Sequence, residues 1–315
     1  MLMEQTPSQQ NWQPCKSLKK PGQMHAQSLQ TVAHGADTVQ FFQLRRSVGG
    51  CEKFHGAVIG HAGHNNTRVF REVKQLGEEL SRLSCILGCE NKADVGILFD
   101  WDNYWALEFT SGPTEDLPYV DQIHRYYNYF YENNIGVNMI PVDADFSKYK
   151  IVVAPVLYMV KEGMQEALTG FVKNGGILIT TFMSGLVNES DNVHLGGYPG
   201  PLRELAGVWV EEIDALAPEQ TNSITFRDGT KITCNLLCDL MHLEGAEQLA
   251  SYDSNFYAGM PAITRNRIGK GLTYYIGTNM YSEGISRVLA EVTACAGVDP
   301  VLPEGTELPA PNTLI

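Results

Sequence analysis

The sequence predicts an α/β protein in two successive parts, on three observations. Short apolar runs recur between segments of helical period, the order strand then helix repeats several times, and the pattern breaks near "GCENKAD". Before the break, residues 1–90 hold two βα units in succession. After it, over 93–298, short buried-type strands alternate with helices in the manner of a doubly wound domain.

The elements follow in order. "MLMEQ" reads as the end of a buried strand carrying Glu4, and Pro7-Ser8 then turn the chain. A helix over 22–36 shows apolar or small residues at helical spacing and closes near Gly35. "TVQFFQL", Thr38 to Leu44, is a β-branched and aromatic strand that runs into the polar loop "RRSVGGCEKFHG". Over 66–87, Val69, Val73, Leu76, Leu80, Leu83 and Leu87 share one helix face. Two such units cannot close a sheet alone. Beyond the break, "DVGILF", "GVNMIPV", "KIVVAP" and "GILITT" read as parallel strands, with an aromatic-rich helix from Leu117 and another over 162–174. A smaller β-rich segment follows, with a late hairpin or sheet edge at "AITRNRIGKGLTYYIGT", then a helix over 282–295 and a proline-rich tail over 299–315.

Composition excludes several function classes. The 315 residues are 43% hydrophobic, enough for a substantial core, and the formal net charge of −13 disfavours nucleic acid and anionic membranes as partners. No apolar run approaches the roughly 20 residues needed to span a bilayer, and the N-terminus has no signal-like pattern, so a cytoplasmic location is expected. Seven scattered cysteines do not read as a disulfide framework and suit a reducing compartment.

In a (β/α)8 barrel, strand ends and βα loops converge on one face, so Glu4, Trp12, Glu52 and His55 are candidates for a shared pocket. A carboxylate there can attack an anomeric carbon, and a neighbouring tryptophan offers a flat apolar face to a sugar ring. Glu52 and His55 could then bind sugar hydroxyls. The plainer alternative makes Glu4 an exposed terminal residue and Trp12 a surface-packed aromatic.

"LMEQTPSQQNW", "HGADTVQFFQLRRSVGGCEKFHGAVIGHAG", "RVFREVKQLGEEL" and "WDNYWALE" together resemble the corresponding stretches of glycoside hydrolase family 42, the barrel-type β-galactosidases. The resemblance runs over about 1 to 298 with the motifs in order. It implies that 1–90 are the last two βα units of a (β/α)8 TIM barrel, and that 93–298 are a trimerisation domain of flavodoxin-like, class I glutamine amidotransferase-like fold. The tail then resembles a truncated lead into a small C-terminal β domain. The activity implied is hydrolysis of terminal β-D-galactosides with retention: Glu4 as nucleophile, Trp12 lining the galactose site, Glu52 and His55 holding substrate hydroxyls, no cofactor, and a homotrimer. The family carries six earlier barrel strands and the acid/base glutamate upstream of this nucleophile, so the chain resembles a portion starting at barrel strand seven and lacking the second carboxylate. A non-catalytic oligomerisation module with an amidotransferase-like fold is the alternative.

Other motifs weigh less. An amidotransferase needs a cysteine on a sharp strand-to-helix turn, and neither "VAPVLYMVKEG" nor "LITTFMSGLVN" has one. "DWDNYWALEF", around Trp101 and Trp105, is a candidate subunit contact or ordinary packing. Cys85 and Cys89 share a predicted helix and Cys234 and Cys238 repeat their spacing; both pairs read as buried free thiols rather than zinc ligands. His61 and His64 read as loop residues, and "IGKGL" as a hairpin turn rather than a phosphate loop.

Overall fold

The first apolar segment, Leu2–Gln5 (β1), runs parallel to Val39–Phe41 (β2), with Leu2 opposite Val39 and Gln5 opposite Phe41. These strands belong to a computed structural model that describes residues 1–90 and 92–302 and divides into two units, Met1–Lys92 and a second beginning at Ala93. The helix between the strands, α1 (Gln23–Ala33), ends at His34, and Gly35 just beyond it takes φ 92, a conformation that costs a residue with a Cβ. Its inner face carries Met24 and Ser28. Ser28 Oγ donates to Gln5 Oε1 at 2.8 Å, so the buried polar side chain of β1 is answered by the helix packed on it.

Two expectations need correction in this unit. The strand foreseen over 38–44 stops at Phe41, because the next residues pair with a different segment: Val58 N donates to Gln43 O at 2.9 Å and Ile59 N to Leu44 O at 2.8 Å. The helix foreseen over 66–87 is α2 (Arg68–Arg82), started by Thr67 Oγ1, which accepts from Phe70 N at 3.3 Å. Leu83 N and Ile86 N bond back only three residues, which tightens Ser84–Ile86 into a 3-10 turn and ends the helix early. On its apolar face Leu76 is buried, Val69, Val73, Leu80 and Leu83 are half-buried, and Leu87 is exposed.

The second unit is built on one sheet of eleven strands. It begins β3 (Val95–Leu98), α3 (Trp101–Phe109), α4 (Tyr119–Glu132), β4 (Val137–Ile140), β5 (Ile151–Ala154), α5 (Met164–Lys173) and β6 (Ile177–Thr181). It continues through α6 (Arg203–Ala206), β7 (Val208–Ala215), β8 (Asn222–Phe226), β9 (Lys231–Leu243), β10 (Glu247–Tyr252), β11 (Pro261–Ile268), β12 (Gly271–Ile276), β13 (Thr278–Met280) and α7 (Ser282–Ala296). Strands β4, β3, β5, β6 and β12 lie side by side in parallel. Side chains alternate across them with period two. Val95, Ile97, Ile151, Val153, Ile177 and Ile179 enter the core that holds α4 and α7, whereas Leu98, Val152, Ala154 and Leu178 enter the core that holds α5. Burial on both faces explains why β3 and β5 read as apolar runs, whereas the edge strand β4 carries Asn138 and an exposed Met139.

Past β12 the same sheet continues antiparallel through β11, β10, β8 and β9 to β13, with β7 also on β9. The β-rich segment foreseen after the parallel strands is thus a continuation of the same sheet. The foreseen hairpin exists, with Ile268 opposite Gly271, but it lies mid-sheet, where β12 pairs with β6 and all six of its residues are buried. The reading of the tail falls largely on 303–315, outside the described residues. Among the described residues no helix is long and apolar enough to cross a membrane.

Candidate active site

Glu4 lies one residue before the end of β1 and is exposed, while Gln5 is buried. It lines a cleft of about 790 Å³ together with Gln5, Thr6, Ser8, Lys19 and His55. Trp12 and Glu52 are not in that lining: Trp12 is 67% exposed, and Glu52 is half-buried in the turn before His55, where its carbonyl accepts from His55 N at 2.8 Å. The geometry thus brings Glu4 and His55 together in one cleft and leaves the other two candidates on its supporting loops.

Those two loops are tied to each other. Gly56 N donates to Gln9 O at 2.8 Å, Asn11 Nδ2 to Cys51 O at 2.7 Å, and Asn11 N to His55 Nδ1 at 3.4 Å. The approach is close enough that a Cβ at Gly56 would fall 2.8 Å from Thr6 Oγ1 and 3.0 Å from Gln9 O, which explains glycine at this position. His55 is buried, with the ring of Phe42 meeting it edge-on at 5.2 Å, and its Nε2 is buried without a partner. Lys19 Nζ donates to Thr6 O at 2.6 Å, and partial burial pushes its ammonium below the ordinary lysine value. A carboxylate on the rim, a buried imidazole in the wall and a lysine held against the 6–9 turn suit a polar, multiply hydroxylated ligand.

The family model described as "Beta-galactosidase" matches residues 1–83, and the one described as "Beta-galactosidase trimerisation domain" matches 93–299. The β-galactosidase BgaA of Planococcus sp. (strain 'SOS Orange') is 54% identical over 98% of this chain, and LacZ of Lactobacillus acidophilus is 52% identical over 98% of it. The chain spans about half the length of these curated relatives, 46% of each. The crystal structure of a β-galactosidase from Bacillus circulans sp. alkalophilus superposes on 96% of this chain with a TM-score of 0.93 at 51% identity, covering 46% of that chain. The structure of Gan42B, a GH42 β-galactosidase, superposes on 96% of this chain with a TM-score of 0.92 at 38% identity, covering 44% of that chain.

The chain belongs to glycoside hydrolase family 42.

Within this family 42 chain, the turns after β5 and β6 bend sharply at buried residues with positive φ, Val156 at 48° and Met183 at 58°. A β-branched residue is strained there, and the surroundings hold it. Asn103 Nδ2 donates to Val156 O at 3.0 Å, Asn103 Oδ1 accepts from Met159 N at 2.9 Å, and Val156 N donates to Thr181 Oγ1 at 2.8 Å. No cysteine stands at either bend, and Ser184 beside Met183 accepts through Oγ from Leu157 N at 3.0 Å. Cys85 and Cys89 do not share a helix, since α2 has ended, and both are exposed rather than buried; Cys234 and Cys238 on β9 are buried. Among the described residues no three His, Cys, Asp or Glu side chains cluster to hold a metal. The sequence reading passed over Asn11 and Lys19. An asparagine before a tryptophan carries no spacing signal, and its two bonds to a loop some forty residues later emerge only from the fold.

Proposed function

We propose that this chain carries the nucleophile side of a retaining β-galactosidase site joined to a homotrimerisation domain. The observation behind the reading is that Glu4 and His55, whose Nε2 is buried and unpartnered, line one cleft within the segment matched by the β-galactosidase family model. In the first step a Glu4 carboxylate oxygen forms a bond to the anomeric carbon as the bond from that carbon to the aglycone oxygen breaks. The departing oxygen takes a proton from a second carboxyl group, about 5 to 5.5 Å from the first in retaining enzymes, and water then releases the sugar. Trp12 supplies an aromatic face for the galactose ring, and Glu52 and His55 bind hydroxyls.

The parallel order β4-β3-β5-β6-β12 is second, first, third, fourth and fifth in the chain, the order of flavodoxin-type sheets, and β1 and β2 with their helices have the parallel pairing of barrel units. Both support the reading of a barrel end followed by a flavodoxin-like domain. The boundaries proposed are 1–90 and 93–298, with a cytoplasmic location.

A dinitrophenyl 2-deoxy-2-fluoro-β-galactoside tests the nucleophile apart from the acid, because dinitrophenolate leaves without protonation and the fluorine slows release of the sugar. Mass spectrometry is expected to find the fluorosugar on the peptide containing Glu4, and to find none in Glu4→Gln. A label on Glu52, or no label on a folded chain, overturns the assignment. The absence of label alongside a trimeric mass favours the non-catalytic oligomerisation module.

A further inference from the structure

We propose that Asn11 is a positioning residue that holds His55 as the tautomer protonated on Nε2, so that the cleft wall presents one fixed, neutral donor to a ligand oxygen. The backbone N–H of Asn11 points at His55 Nδ1 at 3.4 Å. A backbone amide can only donate, so Nδ1 must offer its lone pair, and the single ring proton sits on Nε2. The other tautomer and the imidazolium would set two N–H groups against each other.

The rest of the surroundings fix the ring rather than compete for it. Phe42 meets it edge-on at 5.2 Å, and His55 N bonds to Glu52 O at 2.8 Å, closing the turn that carries it. Asn11 reaches the same loop a second time through Nδ2, which donates to Cys51 O at 2.7 Å. The two bonds grip the 51–55 turn at both ends. The side-chain bond sets the spacing at which the backbone amide meets the ring, so the role belongs to asparagine here and not to any residue with an N–H.

What remains is Nε2–H, buried, without a partner, on a side chain that lines the cleft with Glu4. An unanswered buried donor carries a desolvation cost, and a ligand acceptor relieves it. The donor therefore selects an oxygen lone pair such as that of a sugar hydroxyl. This last step rests on the reading of the cleft as a galactoside site; the tautomer does not.

The test is a long-range proton–nitrogen spectrum of the full chain labelled with ¹⁵N-histidine, which has eight histidines, with His55 assigned by its loss in His55→Gln. The expected pattern is an unprotonated Nδ1 and a protonated Nε2. Asn11→Asp keeps the shape but removes the donor to Cys51 O, and Asn11→Ala removes the side chain; in either, both ring nitrogens are expected to shift towards an average of the two tautomers while the other seven histidines stay unchanged. A wild-type His55 protonated on Nδ1 or already averaged overturns the proposal, as does an unchanged pattern in both variants. Adding isopropyl thio-β-galactoside separates the two readings. A shift of the Nε2 signal supports both, and a single tautomer that the galactoside leaves untouched upholds the positioning role while overturning the galactoside reading.

Discussion

Asp239 on β9 is fully buried, with Oδ2 accepting from Tyr275 Oη at 2.8 Å, and burial pushes its pKa up to about 8. An unfolded aspartate titrates near 3.9. The folded state therefore holds the proton more tightly, and the stability this group contributes is full below about pH 4, falls as pH rises, and is lost above about 8. Asp239→Asn cannot ionise. Its melting temperature relative to wild type is expected to rise from pH 5 to pH 8 by at least about 2–4 °C, the change that 1 kcal/mol produces in a domain of about 150–250 residues. A difference that stays flat across that range would assign the Asp239 proton elsewhere. At this scale the sequence announced Glu4, Trp12, Glu52 and His55 through a resemblance and strand-end logic, but it could not rank them by contact with the cleft. Whether a side chain faces a cleft or its supporting loop depends on bonds such as Gly56 to Gln9, which join positions far apart in the chain.

Helix α3 presents Trp101, Trp105 and Phe109 at four-residue steps, and they are 60%, 49% and 85% exposed. Three large aromatics on one short exposed face fit a surface that another subunit covers. On the proposed homotrimer, Trp101→Ala with Trp105→Ala is expected to lower the light-scattering mass from three chains towards one, with secondary structure unchanged. A trimer that survives the double change would place the interface on another face. Elements with apolar runs, β3, β5 and the first three residues of β6, were legible from the sequence, because burial on both faces favours apolar side chains at successive positions. Two strands were not. β7 and β10 mix charged and apolar residues, as in "VWVEEIDA" and "EQLASY", and their partners on β9, β8 and β11 supply the pairing that their own pattern does not advertise.

The two units differ in how completely they bury apolar side chains. In the second, most of the sheet is buried on both faces, whereas the first leaves Leu44, Val48, Phe54 and Leu87 exposed and the α2 face half-covered. Limited proteolysis of the 315-residue chain is expected to cut within 1–88 well before 93–298. Equal resistance in both segments would contradict this. The α/β class and the break near 90 were legible because the alternation of periods is local. The continuation of the parallel sheet into an antiparallel one was not, since it depends on β12 inserting beside β6 from far along the chain. The placement of α7 carries a further consequence. This helix packs against α4, where Tyr129 Oη and Thr293 Oγ1 lie 3.4 Å apart, and fills the core beneath the earliest strands of its unit. During synthesis, at about 5–20 residues per second, those strands wait on the order of ten seconds for the helix that covers them. The nascent chain therefore depends on whatever shields its apolar surface at the ribosome until α7 emerges.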